Sequence, residues 1–306
     1  MRITDRARSE HINSNGANPG AKLLEDARRA AKASARADFK QDPLFSPEFS
    51  QLISTSTSAV KRHGPLIEKA IAGELERAPM TVLRNVAVPI TEGGLAMSES
   101  RDYSTLVNKQ IDFDDKRIAD VVDIDILAID ESNGWAGAFS VKRGGGLTEP
   151  RKRKANEREL RALNFTLASW LRHKGYRTVE TATAAVIDYL GQSGFSRDLT
   201  IDRDAIDEFF GLPIVAAIDA MTAAMSEALN GELRNLLAPI MRKMSEDETP
   251  RIVIGEMEAG VPTLLRARRR IVSAGSDTAS ALATCNVARR RNKADSLGRQ
   301  TALSGS

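Results

Sequence analysis

Three residues within VVDIDILAIDESNGWAGAFSVKRGGG (121–146) have the types and spacing for metal chemistry: Asp123, Asp125 and Lys142. Neighbouring carboxylates suit Mg2+, which takes one or two of them and keeps several waters. A lysine beside them can orient or deprotonate a water, or offset the charge building on a phosphate. Metal, water and lysine together form a kit for cleaving phosphodiesters. The alternative is an ion pair on a solvated sheet face, which contributes little to stability.

Two apolar, β-branched runs flank Ser132-Asn133-Gly134-Trp135, and Asn-Gly between such runs is a strong hairpin signal. With Asn133 and Gly134 as the central residues of a type I′ turn, 132 pairs with 135 and Asp125 falls directly opposite Lys142. The strand period then puts Asp123, Asp125, Ser140 and Lys142 on one side, and Ile124, Ile126, Phe139 and Val141 on the other. A different loop length would slide the register, but a slip that keeps parity keeps the acids and the lysine neighbours.

The 306 residues suffice for one large or two ordinary domains, and 42% hydrophobic with 28% charged is ordinary for a soluble globular protein. The single Cys285 excludes an internal disulfide and any zinc site built on several cysteines. The three histidines, His11, His63 and His173, form no metal-binding pattern. No apolar run approaches the roughly 20 residues of a spanning helix, and the N-terminus has no signal-peptide core, so a cytoplasmic protein without a membrane partner is expected. Net charge is only +3, yet the pI is about 9.0 and the basic residues are clustered.

Along the chain, residues 1–45 read as a mobile or accessory segment, with a candidate helix over 23–37 that has almost no apolar stripe. Residues 50–61 read as a loose helix. An amphipathic helix is expected over 63–78, with Pro65 in its first turn and Glu68 early enough to favour the dipole. A strand over 80–90 ends at Pro89, and 91–117 read as irregular. After the hairpin, a helix over 156–174 is capped by Asn156 and carries Glu157 and Glu159 in its first turn. A strand over 176–190 comes next, then a short helix over 204–210 and one or two helices over 214–244, interrupted by Pro239. Residues 251–254 read as a short strand, 264–285 as partly helical, and the end from 289 as frayed and basic. The order helix, strand, hairpin, helix, strand predicts an α/β fold with a small sheet and helices on both sides.

That order, with a D…x-K pattern across the hairpin, resembles the PD-(D/E)XK nuclease superfamily, whose core is the restriction-endonuclease-like fold. Three pieces carry the resemblance. GPLIEKAIAGEL (64–75) is similar to the family's first helix with its GxxxE pattern and proposes Glu68. DIDILAID (123–130) is similar to the second strand and proposes Asp125 as the metal-binding aspartate, and FSVK (139–142) proposes Lys142. The passage DYLGQSG…LTIDRDAIDEFFG also looks like the segment after the core in some members. The family's usual second acid, two residues before the lysine, is Ser140 here, a D…SxK variant. Some members with S-x-K recover a carboxylate from the next helix, a part open to Glu157 or Glu159, with Asp123 and Glu68 as further candidates.

The resemblance covers about residues 60–210, not the tail or the C-terminal helices, and implies a nuclease-like core over 46–200; the residues themselves read as a helical C-terminal region over 201–288 and a frayed basic tail over 289–306. It implies a Mg2+-dependent DNA endonuclease in which Lys142 positions the attacking water, and Asp125 holds the metal with help from Asp123, Glu68, Glu157 or Glu159. The products would be a 5′-phosphate and a 3′-hydroxyl. Arg143, Arg151, Lys152, Arg153, Lys154, Arg158 and Arg161 would contact double-stranded DNA through its phosphates. A homodimer is left open. Taken singly, the glutamates also read as first-turn or capping residues, Ser140 as a spacer, and Gly144–Gly146 as a flexible linker without the Lys-Ser/Thr of a phosphate loop. Trp135, Phe139 and Trp170 read as packing groups, and 266–270 as a second basic cluster. Two competing readings remain: an inactive nucleic-acid-binding protein on the same fold, and a secreted or interaction protein working through its terminal segments.

Overall fold

The runs ILAI (126–129), AGAF (136–139) and AAVI (184–187) are apolar at every position, the pattern of strands covered on both faces. The computed structural model describes residues 19–100, 103–106 and 109–247. The expectations for 1–18, 251–254, 264–285 with the basic run 266–270, and the tail from 289 lie outside the described residues.

In chain order the elements are α1 (Pro19–Arg36), α2 (Pro47–Leu75), β1 (Thr81–Thr91), α3 (Glu92–Ser98), α4 (Tyr103–Leu106), β2 (Ile118–Asp130), β3 (Trp135–Lys142), α5 (Pro150–His173), β4 (Thr181–Asp188), β5 (Thr200–Asp202), α6 (Arg203–Phe210) and α7 (Ile214–Asp247). The class is mixed α/β. The five strands form one open sheet in the order β1-β2-β3-β4-β5. β1, β2 and β3 pair antiparallel, while β3, β4 and β5 pair parallel. Parallel β3 and β4 require a crossover, and α5 supplies it.

On the α5 face, Leu160, Leu163, Leu167 and Leu171 bury against Leu127, Ile129, Ala136, Ala138 and Val186. On the other face, Ile67, Ile71 and Leu75 of α2 and Ile218 and Met221 of α7 cover Ile126, Phe139, Val141 and Ile187. Burying one such side chain is worth roughly 1.5–3 kcal/mol. That outweighs the cations in the first turn of α5, each opposing the helix dipole by about 0.3–1 kcal/mol. Trp135 and Phe139 pack with Phe209 and Phe210 in one aromatic cluster. Among the described residues no helix is long and apolar enough to cross a membrane.

Several expectations change. The helix expected over 63–78 is the last part of a continuous α2 that begins at Pro47 with Ser46 as N-cap. Pro65 lies inside it, at a cost of about 3 kcal/mol in a helix interior, offset by the burial of Leu66, Ile67, Ala70 and Ile71 just beyond. Glu68 is therefore far from the first turn, and the dipole reading does not apply to it. α5 starts at Pro150, not at Asn156, so Arg151 to Lys154 are helical and Asn156, Glu157 and Glu159 lie within the helix. β1 runs past Pro89 to Thr91, which an edge strand allows because its outer N–H groups need no partner. α1 does carry a stripe: Leu23, Ala27, Ala31 and Ser34 are buried where it packs on α2 and α7. The stripe is faint in the sequence because most of its members are small.

The hairpin differs most. Asp130 pairs with Trp135 and Ile126 with Phe139, so the loop is Glu131-Ser132-Asn133-Gly134 and the register is two residues off the expected one. Only Gly134 has positive φ (+63°) there. Asp130 decides the turn: its carboxylate accepts the Ser132 and Asn133 N–H groups at 3.1 Å each, the Asn133 amide at 2.7 Å and the Ser132 hydroxyl at 2.5 Å. A two-residue turn would forgo these bonds. The slip keeps parity.

The expected single apolar face of β2 is also broken. Ile126 lies on the α2 side and Ile124 on the α5 side, together with Leu127 and Ile129. In β1, Val82 lies on the α2 side, whereas Leu83, Val86, Val88 and Ile90 lie on the α5 side. Both strands thus swap faces at one level, between the pairs Arg84–Ile126 and Val86–Ile124. The residues skipped are Asn85, which adopts φ +52°, and Asp125. Asparagine is among the few residues that tolerate that conformation.

Candidate active site

Asp125 sits where β2 and β3 part. Their ladder ends at Ile126–Phe139, although both strands continue. One residue beyond, the Asp125 side chain takes over as acceptor. Its Oδ2 receives the Val141 N–H at 2.6 Å and the Ser140 hydroxyl at 3.3 Å. Lys142 Nζ lies 3.9 Å from the same oxygen. Among the described residues Oδ1 has no hydrogen-bond partner.

Beside this fork lies a cavity of about 250 Å³ between β2, β3 and α5. Its polar lining comes from Asp123, Asp125, Ser140, Lys142, Asn156 and Glu159. Glu159 is half-buried in it, and burial, reinforced by the charge of Asp120 and opposed by Arg158, pushes its carboxyl above the usual range. Glu68 approaches from α2. Burial first, and then the charge of Asp125, raise its carboxyl too, against the pull of Arg84 and Lys142. Asp123 is exposed at the rim. Asp125 is thus flanked from both faces by glutamates that ionise reluctantly without a further positive charge.

Glu157 is turned away: its Oε1 accepts the Ser196 N–H at 2.9 Å, tying α5 to the short turn before β5. The helical period separates the two glutamates. Asn156, Glu159 and Leu160 recur at i, i+3 and i+4 on the cleft side, while Glu157 and Arg161 face the 196–198 turn. That spacing was visible in the sequence. Arg84, beside Glu68, and Asn156 as a cleft residue were not singled out there.

The basic residues divide by partner. Arg158 pairs with Glu99 at 3.0 Å, Lys152 with Glu149 at 3.6 Å, and Arg161 with Asp198 at 3.2 Å beneath the Tyr103 ring. Arg143, Arg151, Arg153 and Lys154 have no ion-pair partner among the described residues.

The glycines after β3 are not a uniform linker. Gly144 has φ +70°, and a Cβ there would lie 1.6 Å from Asp188 Oδ1. Asp188 is itself buried, accepting the Gly191 and Ser193 N–H groups at 3.1 and 2.9 Å and the Ser193 hydroxyl. The chain leaving Lys142 is pinned at that point.

Among the described residues no group of three His, Cys, Asp or Glu side chains could hold a metal ion unaided. Mg2+ does not demand one, since it binds through one or two carboxylates with waters and substrate phosphates. Oδ1 of Asp125, without a hydrogen-bond partner among the described residues, and the carboxyls of Glu159 and Glu68, whose burial disfavours ionisation until a cation is near, fit that requirement. In comparisons with known proteins, no family model, no curated protein and no solved structure matches the chain.

Proposed function

We propose that the chain is a Mg2+-dependent DNA endonuclease built on a restriction-endonuclease-like core, with its site at the fork of β2 and β3. The observation that carries this reading is the shared oxygen of Asp125. Oδ2 is tied to Val141 N–H and faces Lys142, and Oδ1 is left without a partner among the described residues. Asp125 with Glu159 or Glu68 would hold Mg2+, which supplies charge neutralisation and a more acidic water. Lys142, half-exposed at the cavity, would orient the attacking water and offset the developing phosphate charge. Ser140 supports Asp125 through its hydroxyl rather than contributing an acid. Arg143, Arg151, Arg153 and Lys154, without ion-pair partners among the described residues, supply the field that attracts the nucleic-acid backbone.

Ser140 at the position of the second acid also favours a competing reading, in which the same surface retains DNA without cutting it. Plasmid cleavage separates the two. Wild type should nick supercoiled plasmid with Mg2+ and not with EDTA, and Lys142→Ala and Asp125→Asn should lose at least about a hundredfold in rate. Equal nicking by all three proteins would end the nuclease reading.

A further inference from the structure

Lys142 and Arg143 leave β3 together, but they are held by different chemistry. Arg143 Nε donates to Nδ1 of His63 at 3.2 Å, and Nε2 of His63 lies 2.8 Å from Thr222 Oγ1. An imidazole whose Nδ1 accepts a hydrogen bond has its proton on Nε2 and is neutral. The Nε2–H therefore donates to Thr222. Burial and the Arg143 charge both hold the His63 pKa below its ordinary value, in keeping with that state. α2, α7 and the chain leaving β3 thus converge on one guanidinium.

Carboxylates are the common holders of half-buried arginines, and they neutralise what they hold. Here the holder is a neutral acceptor, so the guanidinium is fixed in place with its charge intact. Its two Nη atoms have no acceptor among the described residues, and neither is a buried unpaired atom, so both are open to solvent. Gly145 makes room: a Cβ there would lie 2.3 Å from Arg143 Nη1. A planar fork with two open nitrogens, on the residue that follows the lysine of the cavity in the chain, matches a phosphate.

We propose that Arg143 binds a backbone phosphate of the substrate and that His63 is its positioning residue, a neutral holder that aims the guanidinium without cancelling it. This rests on the nucleic-acid reading given above.

The test measures binding, not cleavage. A short labelled DNA duplex is titrated in EDTA across a salt series with wild type, Arg143→Gln, His63→Gln, His63→Asn and the double variant Arg143→Gln/His63→Gln. Arg143→Gln should weaken binding about tenfold and lower the slope of log affinity against log salt by about one. The glutamine of His63→Gln reaches towards Thr222 but not Arg143. It should weaken binding about threefold to tenfold alone and add nothing once Arg143 is Gln. His63→Asn, whose amide oxygen stands near the place of Nδ1, should recover most of the affinity. An unchanged salt slope for Arg143→Gln overturns the proposal. So does a His63→Gln loss that is just as large in the Arg143→Gln background, because that is the mark of a merely structural histidine. Absence of any wild-type binding removes the nucleic-acid reading and this proposal together. The predicted binding pattern with no cleavage under Mg2+ upholds the proposal and removes only the enzyme.

Discussion

The Val141 N–H donates to Asp125 Oδ2 at 2.6 Å, so a side chain replaces the β2 main chain at the point where β2 and β3 separate. One carboxylate oxygen thereby ends the ladder, orients the acid and leaves its twin unbonded among the described residues. Structural and candidate catalytic duties are divided between the two oxygens of a single residue, and the substitutions that separate them are easy to name.

Asp125→Asn retains an acceptor for Val141 N–H, whereas Asp125→Ala leaves that donor without one. Alanine should cost about 1–3 kcal/mol of stability and asparagine clearly less. Mg2+ binding measured by calorimetry without DNA should fall in both, because both lose the charge. An asparagine variant that binds Mg2+ as wild type does would remove Asp125 from the metal site.

Glu159 gives a pH prediction. Burial raises its pKa in the folded chain, so between the unfolded and folded values the folded state holds more protons and stability falls as pH rises through that window. Glu159→Gln removes this penalty. Its melting temperature at neutral pH should exceed that of wild type by roughly a degree or two. The gain should vanish below the ordinary glutamate range, where position 159 is uncharged in both proteins. Mg2+ should raise the melting temperature of wild type and not that of the variant. A gain independent of pH would mean that Glu159 is not a reluctant acid.

How far the site was legible depends on the kind of signal. The meeting of Asp125 with Lys142 was legible because strand parity survives a slip of two residues, even though the register itself differs from the expected one. The difference arises because Asp130, whose carboxylate organises the longer loop, outweighs the turn preference of Asn133-Gly134. Glu159 was separable from Glu157 by the period of the leucine stripe in α5. The face swap at Asn85 and Asp125 left no pattern that alternation could reveal, since apolar residues occupy both faces of β2 beyond it. The contact of His63 with Arg143 joins residues 80 apart, and no local rule reaches that far. The packing of α1 was hidden because alanine and serine, not leucine, form most of its buried stripe.

The glycines after Lys142 can be told apart by substitution. Gly144→Ala forces a side chain onto positive φ and into Oδ1 of Asp188, a carboxylate whose three hydrogen bonds, one to Oδ1 and two to Oδ2, resist displacement. It should cost about 2–4 kcal/mol in urea unfolding, by strain and by disruption of a buried network. A Cβ at Gly146 meets nothing within 4 Å, and Gly146 has no positive φ, so Gly146→Ala should stay within about 0.5 kcal/mol of wild type. Equal behaviour of the two would contradict the pinned exit from β3.

Asp130 supplies the last test, because the same carboxylate sets the hairpin register and titrates. Hydrogen bonds, first from the Ser132 hydroxyl and then from the Asn133 amide and the two backbone N–H groups, hold its pKa below the usual aspartate range, with burial opposing them. A depressed folded-state pKa contributes stability that is present above the unfolded value and is lost as pH falls through the folded one. Asp130→Ala should therefore be destabilised by about 1–3 kcal/mol at neutral pH, where four donors lose their acceptor. The gap from wild type should narrow once acid protonates Asp130 in both states, because the wild-type turn then loses its charge-assisted bonds. Urea unfolding of the two proteins at neutral and acid pH measures this directly. A gap that stays constant with pH would show that the turn is held by shape and not by the ionised carboxylate.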